Sequence, residues 1–336
     1  MPAGVAAPER LEEALLAFLQ AQRPEMQNLA LHGLRRTSAG KSRENWVFDA
    51  CWRHDGANHR RALILRRDPS DSVLRTERRI EYGVLKALEG SAVPAPAVHF
   101  LDEGGAWLGR PSLIMERIEG QCEWEVLNST RPLDDRLDLA GRFLALLADV
   151  HATDWQARGL DRVLGMPGPQ PGLTELRQWE AELRRAQLEA FPELELAIDW
   201  LRRHCATRGD TVLVHGDFKP GNALLRGQQI VALLDWETAH LGDPLEDLGW
   251  ILNPTRAREH QIRGHWEQAQ IIAEYERLTG RSVDPAALKW WIVFANFKLA
   301  VIVLTGVKAF VEGQLDRTYL SPTWIIRSLL RLMRND

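Results

Sequence analysis

The run LVHGDFKPGNALL, residues 213–225, constrains this chain more than any other stretch. Four polar side chains, His215, Asp217, Lys219 and Asn222, stand within eight residues around Pro220 and Gly221, and apolar residues close both sides. A second apolar run, IVALLD, ends on Asp235. Apolar runs flanking a polar turn predict strands, and strand–loop–strand pairing would bring Asp217, Asn222 and Asp235 to one end of a hairpin. One carboxylate with an amide and a second carboxylate is a hard-oxygen set. It suits Mg2+, which takes one or two protein carboxylates, shares phosphate oxygens and keeps several waters. The other carboxylate is left to orient a hydroxyl and accept its proton.

The 336 residues predict about two domain-sized units with a substantial core. PERLEEALLAFLQAQ (8–22) reads as an amphipathic helix rather than a signal peptide, because it lacks a basic region and a cleavage site. NWVFDACWR (45–53) and RALILRR (61–67) read as strands around the turn signal DGANH (55–59). Residues 75–89 read as a helix, VPAPAVHFLD (93–102) as extended chain and PSLIMERIEG (111–120) as another strand. From residue 134 the periodicity becomes helical: 134–154, then a Pro/Gly-rich loop at 165–172, a helix over 174–205, and a mainly helical stretch over 244–334. The expected fold class is α+β, a small antiparallel sheet lobe with one main helix joined to a larger helical lobe.

This is the layout of phosphoryl transfer in kinases, whose catalytic loop reads H-R-D-x-x-x-x-N and is followed by a metal-binding aspartate. Here the loop is His215-Gly216-Asp217-Phe218-Lys219-Pro220-Gly221-Asn222, and the later aspartate stands in Asp235-Trp236-Glu237. The chain resembles the aminoglycoside phosphotransferase family, relatives of choline kinases and protein kinases. Within it, the chain looks most similar to the branch that includes the kinase-like domain attached to some acyl-CoA dehydrogenases. HGDFKPGN and LLDWETAHLGDPLEDLGW carry most of the resemblance, and SAGKSRENWVFDA, LILRR and LIMERIEG extend it over roughly residues 28–310. It implies a protein kinase-like two-lobe fold, with an N-terminal lobe at 1–118, a hinge at 115–120 and a C-terminal lobe at 119–336.

The resemblance also implies roles. Asp217 matches the catalytic aspartate, and Lys219 stands where protein kinases keep a lysine that faces the γ-phosphate. Asn222 and Asp235 match the metal ligands, and His215 a structural residue of the loop. Asp243 and Asp247 are expected to cap a helix and brace the loop. TSAGKSREN (37–45) takes the place of the loop over the ATP phosphates, with Lys41 and Ser42 as phosphate contacts. The strand lysine that grips the phosphates in this family is replaced by Arg66, with Glu81 as its helix partner and Glu77 as the alternative. Strand alternation alone does not choose between Arg66 and Arg67; only the family motif selects Arg66. Glu116, through its carbonyl, and Ile118, through its N–H, are expected to bind adenine.

The cofactors implied are ATP and Mg2+, and the partner is a small hydroxylated molecule. A net charge of −4 and the lack of a basic tail give no footprint for nucleic acid. WWIVFANFKLAVIVLTGVKAF (290–310) is interrupted by Asn296, Lys298 and Lys308 and reads as a buried helix rather than a membrane span. Cys51, Cys122 and Cys205 lie far apart and read as reduced thiols of a cytoplasmic protein. The oligomeric state is open. Eight tryptophans are candidate lining for the acceptor, though some of them must be core: Trp124, Trp155, Trp179, Trp250, Trp266, Trp290, Trp291 and Trp324. No acidic cluster suited to a polycationic antibiotic stands out beyond the motif. A hydroxyacyl-CoA, implied by the resembled branch, is therefore favoured over an aminoglycoside. A nucleotide-binding pseudokinase is the alternative of another class. A protein kinase is disfavoured, since no activation segment follows Asp235-Trp236-Glu237.

Overall fold

The computed structural model describes residues 8–37, 44–68, 78–205, 210–314 and 321–334. The chain divides into two compact units, Met1–Glu89 with Ala95–Glu119 and Gly90–Pro94 with Gly120–Asp336.

The first unit holds α1 (Pro8–Gln22), β1 (Gln27–Arg36), β2 (Glu44–His54), β3 (Ala57–Arg67), α2 (Arg78–Leu88), β4 (Val98–Asp102) and β5 (Ser112–Glu116). Its five strands form one antiparallel sheet in the order β1-β2-β3-β5-β4. Asp55 and Gly56, with φ of 48° and 77°, close a two-residue turn between β2 and β3. Positive φ at both positions gives a turn twist that matches the flanking strands. In α1, Leu11, Leu15, Phe18 and Leu19 are buried at helical spacing against Phe48, Leu65 and Ile114. Strand β1 is not foreseen from its sequence. QNLALHGLRR carries charges and a glycine, and its mostly exposed edge strand has two register irregularities.

The second unit holds α3 (Leu133–His151), α4 (Leu160–Leu164), α5 (Pro171–Ala186), α6 (Pro192–Arg203), β6 (Val212–Val214), β7 (Ala223–Arg226), β8 (Gln229–Leu233) and β9 (His240–Gly242). Helices α7 (Leu245–Ile251), α8 (Ala257–His260), α9 (Gln268–Thr279), α10 (Pro285–Val311) and α11 (Thr323–Arg334) complete it. The single helix expected over 174–205 is two helices. Pro192 opens α6 at a first-turn position, where its missing N–H costs nothing, and so divides the run. The expected pairing of the strands around the motif is also corrected. β6 pairs with β9, and the hairpin is β7–β8.

Helix α10 is long and apolar enough to cross a membrane, but 83% of its apolar window is buried inside the fold. Trp290, Trp291, Phe294 and Phe297 pack there with residues of α5, α6 and α11. Helix α7 meets α10 at Gly249, where a Cβ would stand 2.7 Å from the Trp291 carbonyl carbon. That close approach brings Glu246 and Asp247 up to α10 and the motif loop.

Candidate active site

The loop after β6 carries the motif. His215 is fully buried, and its ring lies between Phe218 and Trp236, with centroids 6.0 and 4.7 Å away. Its Nε2 bonds the Leu234 carbonyl at 2.9 Å and its Nδ1 accepts the Asp217 N–H at 3.2 Å. Only Nε2–H can satisfy a carbonyl, so the ring is the neutral Nε2–H tautomer. Burial holds its pKa below the ordinary value, against the pull of Asp247 and Asp217. His215 is therefore a hydrogen-bonding element of the loop.

Asp247, inside α7 rather than at its cap, takes the His215 and Gly216 N–H groups on its two oxygens at 2.8 and 2.9 Å. His151 bonds the same carboxylate at 3.2 Å. Burial works against its charge, but the His151 bond and the His151 and His215 contacts outweigh it and hold its pKa at about 2. Asp243 accepts the Leu245 N–H at 2.9 Å, ahead of α7.

Asp217 is half-buried at the turn. Asn222 lies in the one-turn helix before β7 and is buried. Its amide nitrogen donates to both the Asp217 side-chain and main-chain oxygens at 3.0 Å. The amide oxygen of Asn222 is thereby the atom left to offer a cation. Lys219 donates its ammonium to the Asp217 carboxylate and lies 4.8 Å from the centre of the Trp124 ring. Burial would raise the Asp217 pKa, but Lys219 and Arg256 outweigh it and keep the group below the ordinary carboxylate range.

Asp235 follows β8 with φ 60° and ψ 54°, a left-handed conformation that few non-glycine residues adopt. The Ala223–Leu233 pair and the Leu234 N–H bond to the Asn222 carbonyl, 2.8 Å, set Asn222 and Asp235 at the open end of the β7–β8 hairpin. An amide oxygen and a carboxylate at one hairpin end form an all-oxygen donor set that fits Mg2+.

In the first unit, Arg66 donates to Glu81 at 2.6 Å, both buried. Arg78 also donates to Glu81 and reaches Asp68 at 2.7 Å, so one carboxylate holds two guanidinium groups. Arg67, expected to matter little, is 5% exposed, bonds the Leu108 carbonyl at 3.0 Å and stands 3.7 Å from Glu44. Glu116 ends β5 with its N–H on the Ala97 carbonyl at 2.8 Å, and Ile118 follows two residues later. Lys41, Ser42 and Glu77 lie outside the described residues.

The tryptophans divide between core and surface. Trp179, Trp250, Trp290 and Trp291 are core residues, at most 8% exposed, and Trp155 is tied by its indole N–H to the Thr211 carbonyl at 3.0 Å. Trp124, 55% exposed and beside Lys219, is the one that borders the loop. Missed altogether was a group beneath the loop, buried Glu175, Glu246 and Lys298 with the partly exposed His240. Its signal was a lysine in the most apolar helix.

Residues 41–291 match the model of the phosphotransferase enzyme family. Mouse acyl-CoA dehydrogenase family member 10 is 31% identical over 269 residues, which cover 76% of this chain and 25% of that protein. The chain thus spans about a quarter of that relative. The crystal structure of a presumed aminoglycoside phosphotransferase from Ralstonia eutropha JMP134 superposes with a TM-score of 0.72 at 24% identity, covering 96% of this chain and 95% of that one. Aminoglycoside phosphotransferase APH(4)-Ia, solved with ADP and hygromycin B, gives 0.59 at 17% identity over 95% and 97% of the two chains. With the family model spanning the loop, the hairpin and the first unit's Arg66–Glu81 pair, the chain belongs to the phosphotransferase enzyme family and has its kinase-like fold.

Proposed function

We propose that this phosphotransferase moves the γ-phosphate of ATP to a hydroxyl of a small molecule, with Asp217 as the base. The observation that carries the reading is the Asp217–Asn222 contact at the mouth of a hairpin that ends on Asp235. Asp217 orients the hydroxyl and takes its proton late, as a loose transition state requires. Its depressed basicity suits that role: it stays charged at neutral pH and aligns the nucleophile. Asn222 Oδ1 and the Asp235 carboxylate would hold Mg2+, which neutralises charge on the phosphate oxygens when bound. Lys219 offers a second positive charge beside the base. In the first unit, Arg66 takes the role of the phosphate-gripping lysine; a guanidinium keeps its charge and can bind phosphate oxygens in pairs. Lys41 and Ser42 are proposed phosphate contacts, and Glu116 and Ile118 the backbone partners of adenine.

For the acceptor we favour a neutral or anionic hydroxylated metabolite, with a hydroxyacyl-CoA as the leading candidate. Two observations support this. The charges that act most on Asp217 are the cations Lys219 and Arg256, a poor setting for a polycation. A similar chain segment also occurs in a protein named an acyl-CoA dehydrogenase family member. ATP consumption against a panel of hydroxyacyl-CoAs, other hydroxylated metabolites and aminoglycosides tests the proposal. Acceptor-dependent ADP release with a hydroxyacyl-CoA is the expected result. Turnover with aminoglycosides alone would reverse the acceptor choice, and nucleotide binding with no turnover would favour the pseudokinase reading.

A further inference from the structure

Lys298 lies in the middle of α10, 3% exposed. A buried ammonium is strongly unfavourable unless it is paired and hydrogen-bonded. Here it donates to the Gly216 carbonyl at 2.8 Å and to Glu246 at 3.1 Å, and lies 5.2 Å from the centres of the Trp179 and Trp250 rings. Gly216 directly precedes Asp217. Its φ is +80°, and a Cβ there would stand 2.7 Å from the Thr238 carbonyl oxygen.

The two peptide planes leading into Asp217 are held at both edges. In the first, Thr238 Oγ1 donates to the His215 carbonyl at 3.1 Å, and Asp247 takes the Gly216 N–H. In the second, Lys298 donates to the Gly216 carbonyl, and His215 Nδ1 takes the Asp217 N–H. Lys298 is thus the side-chain donor on the peptide that carries Asp217.

The ammonium is itself anchored. The second oxygen of Glu246 accepts from His240 Nε2 at 3.0 Å, and Glu175 stands 3.7 Å from the same nitrogen. His240 Nδ1 meets the Thr238 carbonyl at 3.0 Å, which only an N–H can satisfy. Both ring nitrogens face acceptors, so the ring is an imidazolium. The ligand atoms of Glu175, His240 and Glu246 lie within 4.8 Å of one another, a spacing that would suit a metal. Two cations, Lys298 and His240, already answer the two carboxylates, and a divalent ion would have to displace them.

We infer that Lys298 is a positioning residue for Asp217, fixing the Gly216–Asp217 peptide from the buried side while Glu246, itself held by His240, anchors its ammonium. The inference rests on the reading of Asp217 as the base. Misplacing a reacting group by about 1 Å can cost on the order of a hundredfold in rate. Loss of this anchor therefore lowers kcat and leaves nucleotide affinity alone.

The test uses the full chain and Mg·ATP as the probe, with phosphate transfer to water read as ADP release. Lys298→Met, close in length and uncharged, is expected to lower kcat by roughly ten- to a hundredfold with an unchanged KM for ATP. Hydrogen exchange over residues 213–218 should rise in the same variant. If Lys298→Met does not fold, Glu246→Gln, which keeps the shape and weakens the anchor, should give the same split with smaller size. Unchanged exchange in a folded variant overturns the inference, whatever the activity. Raised exchange with wild-type kcat also overturns it, provided that Asp217→Asn is inactive. An active Asp217→Asn protein would instead remove the reading of the base, and exchange alone would then decide whether Lys298 holds the loop.

Discussion

Each unit buries a network of two cations and two carboxylates, and the two networks are put to different use. In the first, Arg66 and Arg78 face Glu81 and Asp68. In the second, Lys298 and His240 face Glu246 and Glu175. Breaking either by removing one partner is costly, because an uncompensated charge stays buried. The first network is built from guanidinium groups, whose charge is permanent and whose fork suits phosphate oxygens. The second ends on a backbone carbonyl next to Asp217. On the proposed reading, ligand affinity belongs to the first network and the geometry of the base to the second. Arg66 should appear in KM, and Lys298 in kcat.

The largest shift in a ligand requirement is expected where neither network acts, at the proposed metal ligands. Asp235→Ala should raise the Mg2+ needed for half-maximal turnover by roughly a hundredfold and Asn222→Ala by about tenfold, judged by the range for groups that support a metal. Titrating Mg2+ against ADP release measures both. An unchanged requirement in the two variants would place the ligands elsewhere.

Arg66→Ala comes next. Losing a charge-assisted phosphate contact should raise the ATP KM by about tenfold, with kcat less affected. Arg66→Lys should restore it. Equal KM values for wild type and Arg66→Ala would detach the first network from the nucleotide.

The smallest effect separates the networks by pH. His240 is pushed up from 6.5 to about 10: burial opposes the charge, but Glu175 and Glu246 outweigh it. A raised pKa means that the stabilisation is complete below pH 6.5 and is lost as pH rises through about 10. Denaturation midpoints should therefore fall between pH 7 and 10.5 by more in wild type than in His240→Gln. Parallel pH curves for the two proteins would deny the imidazolium.

The sequence made the chemistry legible where spacing is local. Asp217, Asn222 and Asp235 fall on one loop and one hairpin, so their order along the chain nearly determines their grouping. The pairing of β6 with β9 was not legible, because three-residue strands carry too little pattern to identify a partner across the intervening hairpin. Strand β1 escaped for a related reason, since a mostly exposed edge strand has no buried face to alternate with. The tryptophans could not be sorted because an apolar ring looks the same in a core as in a pocket, and only packing distinguishes Trp291 from Trp124. Lys298 meets the loop from a position far away in sequence, and nothing in its neighbours announces it. The one visible hint was the cost of a charge inside α10, which requires a partner without saying which.

Whether Asp217 is the base is decided most directly by Asp217→Asn, measured for Mg·ATP binding by calorimetry and for turnover by ADP release. The substitution is nearly isosteric, and the Asp217 N–H and carbonyl keep their bonds to His215 and Asn222. The predicted result is a folded protein that binds Mg·ATP as wild type does, with kcat lower by about two or more orders of magnitude. Near-normal turnover with intact binding would contradict the account.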